Sequence, residues 1–257
     1  MSSRFHLLFL FTVIVFQAQA LVPKDKTFEY VNNDVFGHYP QEYDASYRFT
    51  GLLNRPFKLC FYNTTSNAFT LALGLGTQKE ATPMNWVWEA NRGNPVGENA
   101  KLTFETDGNL VLTHSDGRIA WQTNTVNRGV VGLEILPNGN MVLYDKKGKF
   151  IWQSFDYPTD TLLVGQSLRL GATTKLVSRA SQKENVNGPY SLVMDAKTLA
   201  LYYKSPNSPI PFQYFSFSFW ATVMEVDGPL QSVTLESNLT LSFQGAHSSS
   251  RESAILE

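Results

Sequence analysis

Two groups of side chains in this sequence have the residue types that hydrolytic enzymes use. His114, Ser115 and Asp116 are adjacent and supply the three side-chain types of a nucleophilic triad, while Asp156 and Asp160 resemble the carboxylate pair of a glycosidase. Adjacent residues on one tight turn cannot point at one another as a triad requires. The proline between the two aspartates favours a structural tie over a catalytic cleft. Glycosidase chemistry is therefore the weakest of three functional hypotheses.

Other chemical motifs are missing from the sequence. It contains no Gly-x-Ser-x-Gly motif, no zinc-ligand spacing and no phosphate-binding loop. The formal net charge is −1, which gives no electrostatic reason to expect nucleic acid or an anionic membrane surface as a partner. We therefore expect a non-enzymatic protein without cofactor or metal.

The first twenty residues have the pattern of a secretory signal peptide. Arg4 precedes an apolar stretch, and Ala18-Gln19-Ala20 forms a small-residue cleavage site. The alternative is an uncleaved anchor, but the apolar stretch is too short to cross about 30 Å of hydrocarbon comfortably. No later segment is long and apolar enough to span a bilayer. The sequence predicts a soluble, secreted mature protein.

In a secreted protein, two sequons could be glycosylated and a lone cysteine could pair with another chain. Asn63 and Asn238 each begin an Asn-x-Thr tripeptide and are predicted glycosylation sites, although this tripeptide also occurs by chance. Cys60 is the single cysteine, so no intrachain disulfide can form. It lies inside the apolar run "FKLCFY", which favours a small buried hydrophobe over a thiol that pairs with another chain.

A repeat indicates which elements must hold the polar residues described below. "TDGNLVLTHSDGRIAWQ" at 106–122 and "PNGNMVLYDKKGKFIWQ" at 137–153 align without a gap at an offset of 31 residues. A fixed period of this kind marks a repeated supersecondary unit. Asp-Gly and Asn-Gly pairs separate short stretches of β-formers, which predicts three antiparallel strands in each unit. A weakened upstream copy ends at Trp88.

Each copy places one tryptophan at an equivalent position. Trp88, Trp121 and Trp152 are interpreted as a structural core in which three sheets pack as the sides of a prism, with sugar stacking as the alternative. Trp86 is two residues from Trp88, so alternation along a strand predicts that it extends this core. The predicted fold is all-β.

The motifs resemble those of the bulb-type, mannose-binding lectin family. The stretches that carry the resemblance are "WVWEANRGNPV" at 86–96, "TDGNLVLT" at 106–113, "NGNMVLYD" at 138–145 and "IWQSFDYPTDTLLVGQSL" at 151–168. They are most similar to the branch of S-locus glycoproteins, their receptor kinases and epidermis-specific secreted glycoproteins. The resemblance covers about residues 30–170. It implies a β-prism II of three short antiparallel sheets with pseudo-threefold symmetry.

The mannose-binding site of this family has the sequence motif Gln-x-Asp-x-Asn-x-Val-x-Tyr. In that site, amide and carboxylate groups meet sugar hydroxyls, and the valine packs on ring carbons. The resemblance places the site at Glu105, Asp107, Asn109, Val111 and Thr113 in the second unit, and at Leu136, Asn138, Asn140, Val142 and Tyr144 in the third. Both copies depart from the pattern: Glu cannot donate as Gln can, Thr is shorter than Tyr, and Leu offers no hydrogen bond. No match exists in the first unit.

The remaining chain is predicted to form further strands, but the Trp-Gln pair that ends each repeat does not recur there. The domain prediction is a signal peptide at 1–20, a lectin prism at 30–160, a partial second lectin-like β region at 161–245 and a disordered tail at 246–257. "YSLVMD" and "TLALYY" are predicted to form a hairpin.

Two hypotheses follow for the function. The first is a secreted plant lectin-like glycoprotein that binds mannose-type glycans weakly in the cell wall or apoplast. The alternative keeps the fold without the sugar, as a structural or protein-interaction module of the wall or of receptor complexes.

Overall fold

The computed structural model describes residues 21–76, 83–217 and 228–247, and the backbone of 252–255. The predicted signal peptide lies outside the described residues. Nineteen strands and three single-turn 3₁₀ helices, at Lys24–Lys26, Glu42–Asp44 and Ser154–Asp156, make up the described elements. The all-β class predicted from the sequence is confirmed.

The first eleven strands form three antiparallel sheets. The first sheet has the order β2-β3-β4-β5, the second β1-β6-β7-β8 and the third β11-β10-β9. The strands are β1 Phe28–Val31, β2 Ser46–Asn54, β3 Phe57–Asn63, β4 Phe69–Leu75, β5 Asn85–Glu89, β6 Lys101–Phe104, β7 Leu110–Thr113, β8 Ile119–Gln122, β9 Val130–Ile135, β10 Met141–Asp145 and β11 Phe150–Gln153. The two repeats thus supply the second and third sheets, and β1 and β2 add strands that the repeat did not predict.

The three sheets meet at a triangle of tryptophans. Ring centroids of Trp88, Trp121 and Trp152 lie 5.8 to 6.0 Å apart, and each pair of ring planes crosses at 72° to 76°. Edge-to-face contact of this kind is the favoured geometry for aromatic pairs. The near-equal distances show that the three tryptophans are arranged around a pseudo-threefold axis of the prism.

A β-bulge occurs at the equivalent place in each of the three sheets of the prism. Each tryptophan pairs with a leucine on the neighbouring strand, and the residue directly before the tryptophan has no cross-strand partner. These skipped residues are Val87, Ala120 and Ile151. A β-bulge places two successive residues of one strand against one of its partner, and this lets both the skipped residue and the tryptophan contact the core.

The bulge also corrects the prediction for Trp86. Because Val87 occupies the bulge, Trp86 points to the opposite side of the first sheet from Trp88. It stacks there on Tyr62 with a centroid distance of 4.2 Å and belongs to a separate cluster with Cys60 and Met84. Strict alternation along the strand, which predicted that Trp86 extends the central core, was wrong at this point.

The chain beyond residue 160 forms two further sheets. Their orders are β12-β17-β18-β19 and β13-β14-β15-β16. The strands are β12 Ser167–Arg169, β13 Lys175–Arg179, β14 Asn187–Met194, β15 Leu199–Tyr203, β16 Phe212–Ser216, β17 Leu230–Leu235, β18 Thr240–Gly245 and β19 Glu252–Ile255. The predicted hairpin is present as β14–β15. A second cluster of buried residues, separate from the tryptophan core, lies between these sheets.

The end of the chain differs from the disordered tail predicted for 246–257. Residues Glu252–Ile255 form β19, which pairs antiparallel with Thr240–Phe243 of β18. The polar run before residue 252 favoured disorder, but β18 would otherwise be an unpaired sheet edge, and pairing satisfies its backbone groups.

Cys60 lies on β3 with no exposed surface. Burial raises the pKa of its thiol from an ordinary 9.0 to about 12. Since the thiolate is the reactive form, we expect a thiol reagent at mildly alkaline pH to leave the folded protein unlabelled and to label one thiol per chain after addition of denaturant. Labelling at equal rates with and without denaturant, read by mass spectrometry, would contradict this burial.

Candidate functional site

Each sheet of the prism turns one side toward the tryptophans and the other outward. We call the outward sides the first, second and third outer faces, in the order of their sheets along the chain. The strand register gives one equivalent cross-strand pair on each face: Ala72 and Glu89, Val111 and Gln122, and Val142 and Gln153. The residues predicted to bind sugar lie on the second and third outer faces.

The Asn109 side chain is held by its own sheet. Its Nδ2 donates to Gln122 Oε1 at 2.9 Å, while its Oδ1 accepts from the backbone N–H of Thr125 and from the Thr123 hydroxyl, each at 3.0 Å. The backbone N–H of Asn109 donates to Asp107 Oδ1 at 2.9 Å, which forms an Asx turn. The amide oxygen is thus fully used, and the second N–H of the amide donates to no described residue.

Asn140 repeats this arrangement in the third sheet. Its Nδ2 donates to Gln153 Oε1 at 2.8 Å, and its Oδ1 accepts from Phe155 N at 3.2 Å and Ser154 Oγ at 3.3 Å. Asn138 Oδ1 accepts from the Asn140 N–H at 3.2 Å. Both asparagines are 4% exposed, so the repeat uses them first as internal clamps.

These clamps make the two asparagines poor choices for binding mutants. We expect Asn109→Ala to lower the free energy of unfolding by about 1–3 kcal/mol, because it leaves the buried Thr125 N–H without an acceptor. Denaturant unfolding of the variant measures this loss. Asp107→Asn keeps the oxygen that closes the turn and serves as the control, for which we expect a change within about 0.5 kcal/mol. Equal losses in the two variants would contradict the clamp.

The second outer face is open to solvent. Glu105 is exposed, and Asp107, Val111 and Thr113 are each half-buried. Within the described residues, Asp107 Oδ2 receives no hydrogen bond from the protein. This face therefore presents carboxylate acceptors, a hydroxyl and one aliphatic side chain together.

Gln122 belongs to the same face and was missing from the predicted site. It lies opposite Val111, and its Oε1 is bound by Asn109, whereas its Nε2 donates to no group in the part of the chain that the structure describes. It can supply the amide donor that Glu105 lacks. The signal was present in the sequence, since Gln follows Trp in both copies of the repeat. In the third unit the equivalent Gln153 donates to Asp156 Oδ1 at 3.0 Å.

The third outer face is largely covered. Val142 has no exposed surface and therefore cannot pack on a sugar ring, which corrects the role that the family pattern gave it. The Tyr144 ring lies directly over Gly132, where a Cβ would meet its hydroxyl, and Lys26 Nζ is 5.9 Å from the ring centroid. Asn138 and Asn140 line a cavity of about 180 Å³ that Arg169 of β12 also borders. Typical ligand pockets begin at about 300 Å³.

The first outer face is buried, in part by contacts with the chain beyond residue 160. The Glu89 carboxylate, whose side chain is 1% exposed, accepts from the Tyr62 hydroxyl and from the guanidinium groups of Arg92 and Arg179. Arg92 also pairs with Asp160 at 2.7 Å. Burial lowers the pKa of Arg92, but the carboxylates of Glu89 and Asp160 more than offset this and raise it. Burial and the Glu89 charge raise the pKa of Tyr62, so its phenol stays protonated and donates.

The side chains with catalytic residue types are not brought together as an active site. Asp116 pairs with Arg118 at 2.9 Å on an exposed turn, and Asp160 pairs with Arg92 as described above. Hydrogen bonding to Arg118 lowers the pKa of Asp116. Within 21–76, 83–217 and 228–247, no group of three or more His, Cys, Asp or Glu side chains could hold a metal ion.

The two sequons differ in their surroundings. Asn63 is the half-buried last residue of β3, at the edge of the loop on which the sequence placed it, and Asn238 lies on an exposed turn. Glycosylation of either stays a prediction. Among the described residues no helix has the length and apolar character needed to cross a membrane.

Comparison with known proteins shows what this chain is similar to. The model of the D-mannose binding lectin family matches residues 85–210. The chain is 61% identical over 216 residues to the epidermis-specific secreted glycoprotein EP1 of Daucus carota, which covers 84% of this chain and 55% of the relative. It is 53% identical over 236 residues to EP1-like glycoprotein 4 of Arabidopsis thaliana, covering 91% of this chain and 52% of the relative. The chain thus spans about half the length of these curated relatives.

One solved structure has a looser similarity. The native fetuin-binding agglutinin of Scilla campanulata, a two-domain lectin, matches 86% of this chain and 90% of its own at 17% identity, with a TM-score of 0.27 that is too low to support an argument. The carrot relative is named as secreted, in agreement with the secretion expected from the first twenty residues. The matching family model is that of a lectin, in agreement with the expected non-enzymatic protein. The chain contains a bulb-type lectin domain and is a close homologue of EP1 and the EP1-like glycoproteins.

Proposed function

We propose that this protein binds mannose-type carbohydrate weakly through its second outer face, in the cell wall or apoplast. The supporting observation is that this face alone, among the three described, combines open surface with the Asp-x-Asn-x-Val spacing of the family pattern. The ligand would contact the family-pattern residues together with Gln122, namely Glu105, Asp107, Asn109, Val111 and Thr113.

In this proposal each group has a different task. Asp107 Oδ2 accepts from a sugar hydroxyl, and Gln122 Nε2 donates to another, so that together they serve hydroxyls of both kinds. The second amide N–H of Asn109 adds another donor. Val111, half-buried between its cross-strand neighbours, packs against the apolar carbons of the sugar ring. Thr113 occupies the tyrosine position but is too short to close the site.

The expected affinity is low. A single sugar site in the millimolar range corresponds to roughly −4 kcal/mol. Loss of two hydrogen bonds of about 1 kcal/mol each weakens it about thirtyfold. One chain with one open face therefore needs many copies on a surface, or a multivalent glycan, for measurable capture.

The test is a glycan array with the full chain, followed by competition with free mannose. We expect Asp107→Asn to abolish array binding, because it removes the carboxylate acceptor and keeps the turn. Tyr144→Phe on the covered third outer face is the control and should bind as the unmodified chain does. Retention of mannose-competed binding by Asp107→Asn would exclude the second outer face as the site.

One observation favours the alternative without a sugar. Asn109 and Asn140 hold their sheets together through hydrogen bonds inside the chain, so the hairpins keep their shape with no ligand. A fold maintained in this way can serve as a structural or protein-interaction module of the wall or of receptor complexes. Array binding that is absent at every density would favour this module.

A further inference from the structure

A large cleft separates the first outer face from the sheet β13-β14-β15-β16. Its volume is about 810 Å³, within the range of about 300–1,000 Å³ that ligand pockets occupy. Tyr43 and Trp86 line one side, and Leu192, Leu201 and Tyr190 line the other. It shares no residue with the second outer face, so it is distinct from the site of the proposed function.

The cleft walls combine aromatic surface with uncharged polar groups. Tyr190 is 52% exposed and offers a ring, while Gln182, Ser178 and Ser181 supply an amide and two hydroxyls. Glu42 Oε1 accepts from the Trp86 backbone N–H at 3.0 Å, which leaves its second oxygen for a ligand. A sugar chain requires this mixture, because its rings have apolar patches and its hydroxyls both donate and accept.

Two residues of the cleft wall have buried donors without a partner among the described residues: Trp86 at its indole nitrogen, and Arg179 at Nε and Nη1. Trp86 is 4% exposed, and its indole N–H makes no hydrogen bond to any described residue. Buried donors of this kind are rare in folded proteins, and a bound water or ligand can supply the acceptor that the chain does not. Trp86 is one of the residues that line the cleft.

The charges around the cleft point to a neutral ligand. The Arg179 guanidinium binds Glu89 and Tyr62, and its central carbon lies 4.2 Å from the centroid of the Tyr43 ring, which covers its flat side. Glu42 and Asp160 bring two further carboxylates to the lining. Since Asp160 pairs with Arg92 and Arg179 pairs with Glu89, Glu42 is the lining carboxylate without an ion pair among the described residues, and its charge disfavours an acidic sugar chain.

From this geometry we propose that the cleft is a second carbohydrate site, one that binds a neutral oligosaccharide of several units. Tyr190 is the stacking platform, and Gln182 and Glu42 contact the hydroxyls. This site places glycan recognition at the junction of the two β regions, away from the repeat that gives the family its pattern.

The test is calorimetric titration of the full chain with neutral tetrasaccharides (mannotetraose, cellotetraose and xylotetraose) and with tetragalacturonate. We expect at least one neutral probe to bind and tetragalacturonate to bind at least about tenfold more weakly. Tyr190→Ala should weaken the neutral probe about tenfold, since it removes the platform. Tyr202→Ala is the matched control, because it removes a tyrosine from the opposite side of the same sheet.

The outcomes separate this proposal from that for the second outer face. Absence of binding by all three neutral probes, tighter binding of tetragalacturonate, or equal losses in Tyr190→Ala and Tyr202→Ala would each overturn the cleft site. If Asp107→Asn weakens a neutral probe and Tyr190→Ala does not, the cleft proposal fails and the outer-face site stands. Gln182→Ala, at an exposed position, provides a second cleft variant should Tyr190→Ala not fold.

Discussion

Replacement of Trp88 by alanine is expected to lower the free energy of unfolding by about 3–5 kcal/mol, the range found when a large buried aromatic is deleted. Trp88 is 4% exposed, contacts both other tryptophans edge to face, and donates its indole N–H to Tyr157 O at 3.0 Å. Folded domains are stable by about 5–15 kcal/mol, so this one change removes a large share of the total. Denaturant unfolding followed by circular dichroism measures it.

Phe150→Ala is the control for this experiment. Phe150 belongs to the same prism but is 42% exposed, on the side of its sheet away from the tryptophans. We expect its loss to cost about 1–2 kcal/mol, since a residue that is 42% exposed gives up less apolar burial than Trp88 does. A similar cost for both variants would show that the three indoles do not hold the sheets together.

Neutralisation of Glu89 is expected to have an effect of the same size. Glu89→Gln leaves Arg92 with Asp160 as its remaining ion-pair partner and leaves the buried guanidinium of Arg179 with no ion pair among the described residues. Removal of one member of a buried ion network costs about 3–5 kcal/mol, mostly because the charges left behind are uncompensated. Chemical denaturation of the full chain measures the change.

Glu29→Gln provides the matched control. Glu29 pairs with Lys101 at 3.2 Å, and both side chains are about half exposed, at 48% and 47%. Exposed pairs contribute about 0–1 kcal/mol, so this variant should unfold almost as the unmodified chain does. A cost below about 1 kcal/mol for Glu89→Gln would mean that water or another group replaces the lost charge.

The repeat made most of the prism predictable. An offset of 31 residues aligned Trp121 with Trp152, and the Asp-Gly and Asn-Gly pairs marked turns in which Gly108 and Gly139 adopt φ of 83° and 85°. Both signals are local, since they depend on spacing and on residues that tolerate positive φ. For that reason the second and third sheets followed from sequence alone.

The position of Trp86 was not predictable in the same way. A bulge breaks the alternation of side chains, and nothing in the residue types around Val87 shows where the register skips. The equivalent residues Ile119 and Phe150 are 55% and 42% exposed, whereas Trp86 is 4% exposed. The difference arises because Trp86 packs into the cluster of Tyr62, Cys60 and Met84, whereas Ile119 and Phe150 belong to no hydrophobic cluster of the described residues.

The same cause limited prediction of the site. The family pattern assigned Asp107 and Val111 to the predicted site, but it could not show that Val142 is covered or that Asn109 is used within its own sheet. Coverage depends on contacts between residues far apart in the sequence. Gln122 was the exception, because its place after Trp121 recurs in the next copy.

The contacts made by the first outer face bear on whether the prism is a self-sufficient module. Arg179 binds Glu89 from across the junction, and Asn185 donates to the Thr70 hydroxyl at 2.5 Å. A proteolytic fragment cut after residue 160 would lose both of these contacts. Trp86 and Tyr62 would then be exposed as a hydrophobic patch beside the Glu89 carboxylate, which would have lost its Arg179 partner. The two halves of this polypeptide are therefore expected to melt as one cooperative body and to be inherited, swapped or deleted as a pair.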